Sequence, residues 1–446
     1  MILHMRKRPK RHVVIIGNGI AGISCARHLR KQTEDKITLI SSETPHFFSR
    51  TALMYIYMGH MTYDHTKPYE DSFWIKHKID LLHDRVKSIA FEKKRLSLER
   101  TRDVFYDELV LATGSTPRFL GWPGQDLKGA QALYSYQDLQ EMEKNTQNIQ
   151  RAVVIGGGLI GIEMAEMLHS RDIHVVYLVR ENSFWGNILS EEESELIHQH
   201  LRTQNIDLRL NEELKEIQTK KGEGVEAVLT AKGTLIPCDF VGLCIGVRPN
   251  VDFLRKTDLE IGKGILVDEF LGTNIAHVHA IGDCAELKSP LPHRRAIEAV
   301  WYVGRMMGES LAHNLASQPK PYNPGVWFNS AKFFEIEYQV YGSVPRNPKT
   351  DEHVFFWRNL KENKSLRLIF GKEKGEIRGG QMLGLRQRHD VWEEWIRNEK
   401  HIKDLMESLE KANFDPEFFR EYEVEIREEF GKAFPHLSVP SIPSGT

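Results

Sequence analysis

Glycines 17, 19 and 22 follow the apolar run Val13–Ile16, and glycines 156, 158 and 161 follow Ala152–Ile155. Each GxGxxG opens a helical pattern. The first keeps Ile23, Ala26 and Leu29 on one face with Arg27, His28 and Arg30 outside; the second keeps Ile162, Met164, Ala165 and Leu168 inside. The chemistry open to such a segment is the binding of a dinucleotide pyrophosphate. A helix start offers free N–H groups and the positive end of its dipole, here through the backbones of Ile20 and Ala21 and of Leu159 and Ile160. Gly17 and Gly156 serve the turn, Gly19 and Gly158 admit the phosphates, and Gly22 and Gly161 let helix and strand pack closely. One such motif occurs by chance; two, each between buried strands, point to two nucleotide sites.

Further residues bear on what the nucleotides are. Glu43 stands 21 residues beyond Gly22, where an acid can accept both hydroxyl protons of a ribose. Arg180 and Glu181 stand side by side in the corresponding region of the second copy. An acid there favours NADH, and an arginine can pair with the 2′-phosphate of NADPH. Arg180 gives a slight lean to NADPH.

The elements that must position these residues read as β-α-β units of parallel sheets, with second strands at Ile37–Ile40 and Val175–Val179. Strands running into glycine turns recur at Leu109–Ser115, Val241–Gly246 and His277–Asp283, and helical periodicity resumes from about Ala296 to Ala316. The proline-rich stretch 318–324 marks a boundary. Beyond it, Glu335–Tyr341 and Ser365–Phe370 alternate as antiparallel strands do. From Glu393 a charged, aromatic-rich helical tail is expected, read as a cover on the last domain; residues 389–434 hold 14 acids against 7 bases. The proline-rich end that follows is expected to be disordered. The expected fold class is α/β, with two Rossmann-like domains and a smaller α+β C-terminal domain.

With 446 residues, 41% apolar and 27% charged, and a net charge of −2, the chain has room for several domains and lacks the charge of a nucleic-acid binder. No apolar run approaches the ~20 residues of a membrane span. The basic run from Arg6 to Arg11 reads as a solvated tail, with no signal peptide visible. Cys25, Cys238, Cys244 and Cys284 lie far apart, form no metal-ligand pattern and suit a reducing cytoplasm.

Taken in order, GNGIAG (17–22), Glu43, LATGS (111–115), GGGLIGIE (156–163), GVRPN (246–250) and AIGDCAE (280–286) resemble the two-dinucleotide-binding-domain flavoproteins, the pyridine nucleotide-disulfide oxidoreductase family, over about residues 12–385. The resemblance implies an FAD domain (1–120 and 247–320) interrupted by an NAD(P)H domain (121–246) and followed by a C-terminal domain (321–446). It implies that Asp283 and Gly282 meet the ribityl or pyrophosphate region of FAD. Ala112, Thr113 and Gly114 would form a turn crossing near it, with Gly246 in the matching turn. Glu163 would orient the nicotinamide carboxamide and Arg50 would lie close to the flavin. Rubredoxin, ferredoxin and NADH-oxidase-like reductases are the most similar members. From them a helix Arg295–Trp301 is expected, with Glu298 and Trp301 beside the flavin or nicotinamide; ordinary core is the other reading of Trp301.

The chain departs from the family where disulfide reductases carry CxxxxC: Arg50–Gly59 holds no cysteine. The third-domain element Val326–Ser330 is only similar to that of ferredoxin reductases, and the cluster Tyr55, Tyr57, His60 and His65 fits either the flavin edge or the core. The implied activity is FAD-dependent NAD(P)H oxidation without a redox disulfide or a metal. The implied acceptor is an electron-carrier protein of the ferredoxin or rubredoxin type, or a small molecule. A membrane-docked quinone reductase and a nucleotide-responsive redox sensor stay open as alternatives, as does a homodimer.

Overall fold

The computed structural model describes residues 10–219, 222–415 and 420–437. These form two compact units. One comprises the described residues of 10–120, 132–147 and 246–324, and the other those of 121–131, 148–245 and 325–437. Residues 132–147, inside the expected nucleotide segment, thus pack with the first unit, and the C-terminal segment shares a unit with the second glycine motif.

The first unit is built on a parallel five-stranded sheet in the order Val278–Ala280, Glu108–Leu111, His12–Ile16, Lys36–Ser41, Ile79–His83. The two central strands are apolar runs without alternation because both faces are covered: Val13–Ile16 and Leu109–Leu111 are all buried. Val13 pairs with Ile37 on one side and Glu108 on the other, which brings the turns after Ile16 and Leu111 to the same sheet edge. The helix Ile20–Gln32 lies against the helix Trp301–Leu315. A Cβ on Gly308 would sit 2.4 Å from the Ala21 carbonyl oxygen, so only glycine admits this approach.

Two sequence expectations fail in this unit. Residues 296–300 are not helical; Val300 is extended (φ −136°, ψ 137°) and the helix begins at Trp301. The apolar spacing continues into 296–300, but Glu298 is drawn back onto Arg294 and the backbone of Arg295, which holds the segment as a loop. Arg11 is not part of a solvated tail: its guanidinium is largely buried, paired with Asp35 at 2.8 Å and Glu108 at 3.4 Å, and bonded to the Leu315 carbonyl. The rest of the basic run, apart from exposed Lys10, lies outside the described residues.

In the second unit a parallel sheet runs in the order Asp207–Leu210, His174–Val179, Arg151–Ile155, Phe240–Leu243, Ala130–Gln131. A five-stranded antiparallel sheet follows, with Phe328–Phe333, Ile336–Gly342, Ile377–Leu383, Lys364–Gly371 and Glu352–Asn359 as neighbours in turn. Ser365–Phe370 is buried throughout despite its alternating sequence, because Arg367 and Ser365 are covered along with the apolar positions. The tail forms helices at His389–Arg397, Ile402–Glu407 and Glu423–Ala433. Trp392, Trp395 and Phe430 join the same buried cluster as Phe355, Leu368 and Phe370 of the sheet. The tail is therefore a cover. Phe418, Phe419 and the proline-rich end lie outside the described residues. Among the described residues no helix is long and apolar enough to cross a membrane.

Candidate functional site

The first glycine turn is held open by its neighbours. Gly17 has φ +112°, and a Cβ there would lie 2.0 Å from the Ala112 carbonyl oxygen. Asn18, between the glycines, donates to the Thr44 carbonyl and accepts from Ser41 Oγ, which ties the turn to the end of the neighbouring strand. A Cβ on Gly22 would strike the Gly17 carbonyl at 2.0 Å, whereas one on Gly19 would meet nothing within 4 Å. Gly19 is the N-cap of its helix and no side chain caps it. The N–H groups of Ile20 and Ala21 have no intrahelical partner by geometry. By contrast the helices Tyr136–Asn145 and Glu191–Thr203 close their starts with capping boxes from Ser135 and Asp138, and from Ser190 and Glu193.

The second turn repeats this by other means. Gly156 has φ +119°, Gly158 is an uncapped N-cap facing open space, and a Cβ on Gly161 would lie 2.2 Å from the Gly156 carbonyl. The brace here is the buried Tyr177 hydroxyl, which donates to the Gly156 carbonyl at 2.8 Å. Leu159 and Ile160 begin the helix.

Around the first turn the motifs meet. Arg50 donates to both oxygens of Glu43 and to the Tyr134 carbonyl, and its guanidinium lies 4.5 Å over the Tyr134 ring. Burial works against the Arg50 charge, but the Glu43 carboxylate more than offsets it and its pKa is raised. The Tyr136 N–H donates to Glu43 as well. The Tyr134 hydroxyl accepts from the Ser115 N–H, and Ser115 Oγ donates to Asp283. Burial raises the Asp283 pKa against the opposing pull of Ser115 and Arg50. Gly282 has φ +73° and starts the short turn that carries Asp283. Thr113 Oγ1 donates to the Asn250 carbonyl, and the Asn250 N–H to the Gly114 carbonyl, so the turn at 112–114 is docked on the segment that Gly246 opens.

The other expected site residues lie apart from these networks. Glu163 is packed in the helix Leu159–His169; burial, then the charge of Glu166, lifts its pKa to about 7. Arg180 is 64% exposed and its guanidinium is paired with Glu181 at 2.8 Å, so the two rival determinants hold each other. Glu298 forms a buried bidentate pair with Arg294, at 2.8 and 2.6 Å. Trp301 is half-buried at the start of its helix, edge-on to Tyr302. Tyr57 is 1% exposed and bonded to Thr146, hence core; Tyr55 stacks on His60. Reasoning from motifs missed Tyr134, Tyr177, Ser115 and Arg294. Ser115 sat within a quoted motif, but nothing in the sequence marks the tyrosines.

The four cysteines are free and buried, and burial raises their pKa values, that of Cys25 to about 12. Among the described residues no cluster of ligands could hold a metal. The donors fit two dinucleotides: helix starts that no side chain caps, with open space at Gly19 and Gly158, and the carboxylates of Glu43 and Asp283 near the first.

Two such cradles on parallel sheets define a protein with two dinucleotide-binding folds. Residues 11–308 match the family described as pyridine nucleotide-disulphide oxidoreductase, and the chain belongs to that family. Membership of that family implies FAD and a nicotinamide nucleotide as the two ligands. Terpredoxin reductase of a Pseudomonas species is 32% identical over 71% of this chain and 77% of its own length. Nitrite reductase [NAD(P)H] of Bacillus subtilis is 26% identical over 84% of this chain. The chain spans only 45% of that relative's length. The solved covalent complex of putidaredoxin reductase with putidaredoxin has the same fold, with a TM-score of 0.79 at 22% identity, over 96% of this chain and 99% of that one.

Proposed function

We propose that the chain carries electrons from NADPH by way of FAD to a small one-electron carrier protein of the ferredoxin or rubredoxin type. The observation that carries this reading is the pair of uncapped glycine helices, in a chain similar to a terpredoxin reductase over 77% of that relative's length. Bound FAD supplies a hydride acceptor that can release electrons singly or in pairs.

The residues divide the work. The helix starts at Ile20 and Leu159 bind pyrophosphate, and Glu43, already aimed by Arg50 and the Tyr136 N–H, has lone pairs left for ribose hydroxyls. Asp283, oriented by Ser115, would meet the ribityl or pyrophosphate region of bound FAD. Glu163 shifts between donor and acceptor near neutral pH and orients the carboxamide. Arg180 leaves Glu181 for the 2′-phosphate when NADPH arrives. Buried thiols with raised pKa values make poor relays, which supports an external acceptor.

The test is anaerobic absorbance during titration with NADH and then NADPH. The flavin band near ~450 nm should bleach, faster with NADPH, and reappear on adding ferredoxin or rubredoxin. A flavin left oxidised by both donors overturns the reading. Reoxidation only by quinone or oxygen replaces the carrier protein with a small acceptor.

A further inference from the structure

A groove lies within the first unit, at the far end of the first glycine helix. Its volume is about 370 Å³, and it is lined by Arg27, Arg30, Lys31, Lys76 and Lys78, against the single carboxylate of Glu34. The chain as a whole has a net charge of −2, so this concentration is local. Among the described residues only Lys76 of these five cations has a carboxylate partner, Glu70 at 3.8 Å, and both are largely exposed. Arg30 builds the wall rather than facing the groove: it donates to the carbonyls of Thr33, Asp35 and Lys78.

The groove also has an aromatic wall. Phe73 and His77 line it, with rings 4.0 Å apart and tilted by 26°. Tyr69 stacks on Phe73 at 4.6 Å, and Arg27 lies over the Tyr69 ring at 4.7 Å. Residues 69, 73 and 77 therefore form one ladder. His77 is fixed by a 2.8 Å contact between Nδ1 and the Phe73 carbonyl oxygen.

Cations near a helix C-terminus ordinarily offset its negative dipole end. Arg30 and Lys31 suffice for that; it does not account for Lys76 and Lys78 on the facing segment, or for the ladder. A planar base stacks on aromatic and imidazole faces, and phosphates attract flexible ammonium and guanidinium groups. The volume is that of a small-ligand pocket. Arg27 and Lys31 lie about 10–20 Å along the helix from Gly19, so the groove is separate from the dinucleotide cradle. We propose that it binds a phosphorylated nucleoside, in addition to FAD and the nicotinamide nucleotide.

The test is calorimetric titration of ADP into the FAD-loaded protein holding one equivalent of NADP⁺, which fills the other cradle and leaves the groove free. One further ADP per chain is expected, with inorganic pyrophosphate binding about tenfold more weakly because it lacks the base. Lys31→Gln with Lys78→Gln, and separately His77→Ala, should each weaken ADP about tenfold and leave NADPH-driven flavin reduction unchanged. All are exposed positions whose change leaves the core intact. No ADP binding in the presence of NADP⁺, equal affinity for pyrophosphate, or indifference to these substitutions would each overturn the proposal.

Discussion

Arg50 grips both oxygens of the Glu43 carboxylate, at 2.9 and 2.5 Å, and the same guanidinium covers the ring of Tyr134. From Tyr134 the contacts pass through Ser115 to Asp283. Segments separated by more than 200 residues are thus fastened around one glycine turn by side chains, and the Glu43 carboxylate is held in one orientation by the chain itself.

Glu43→Gln keeps the shape and removes the charge that holds Arg50. The pair is partly exposed, so the loss of stability should be modest, about 1–2 kcal/mol. Affinity of the apoprotein for FAD should fall about tenfold, through the ribose contact and the slackened Arg50. Flavin fluorescence quenching measures the second and thermal melting the first. Full FAD affinity in the variant would remove Glu43 from the site.

Arg180 and Glu181 make an internal pair on the surface, worth at most about 1 kcal/mol. A 2′-phosphate with two charges should displace Glu181. Arg180→Ala should therefore raise KM for NADPH about tenfold or more and leave that for NADH unchanged. Glu181→Ala should lower KM for NADPH. An equal effect on both nucleotides would mean that Arg180 does not read the phosphate.

Glu163 has a folded pKa of about 7 against about 4.3 for a free glutamate. The folded protein holds this proton more tightly than the unfolded chain, so stability declines as pH rises from about 4.3 through 7. Glu163→Gln has no proton to lose. Its melting temperature should exceed that of the parent by a margin that grows between pH 5 and 8, reaching about 2–3 kcal/mol in stability, both without nucleotide. A constant margin would show that Glu163 is not raised.

The parallel sheets and glycine turns were legible because buried strands and GxGxxG are local patterns. The alternating strands after residue 324 were legible for the same reason. The segment 296–300 was not: its apolar spacing is helical, and the Arg294–Glu298 pair that holds it as a loop also has helical spacing, four residues apart. Arg11 was misread because the carboxylates that bury it, Asp35 and Glu108, lie 24 and 97 residues away. Tyr134 and Tyr177 act on glycine turns through single hydroxyls that no motif records. For Arg11, Tyr134 and Tyr177 the missing information is a polar contact distant in sequence; for 296–300 it is a local pair whose spacing also suits a helix.

Glu108, beside that same Arg11, supplies a pH dependence of opposite sign. Burial alone would raise its pKa, but hydrogen bonds from His279 and His277, both at 3.1 Å, bring it down to about 2. An unfolded glutamate titrates near 4.3, so the stabilisation is present above that pH and is lost as pH falls from about 4.3 to 2. Glu108→Gln should cost about 2 kcal/mol at pH 7. Because the contacts join the ends of neighbouring strands rather than the glycine turns, FAD affinity at pH 7 should hardly change. Urea unfolding from pH 7 to pH 3 measures the gap, which should hold down to about pH 4.3 and narrow below it. A gap that stays constant from about pH 4.3 down to pH 3 would place the stabilisation in packing rather than in the charge of Glu108.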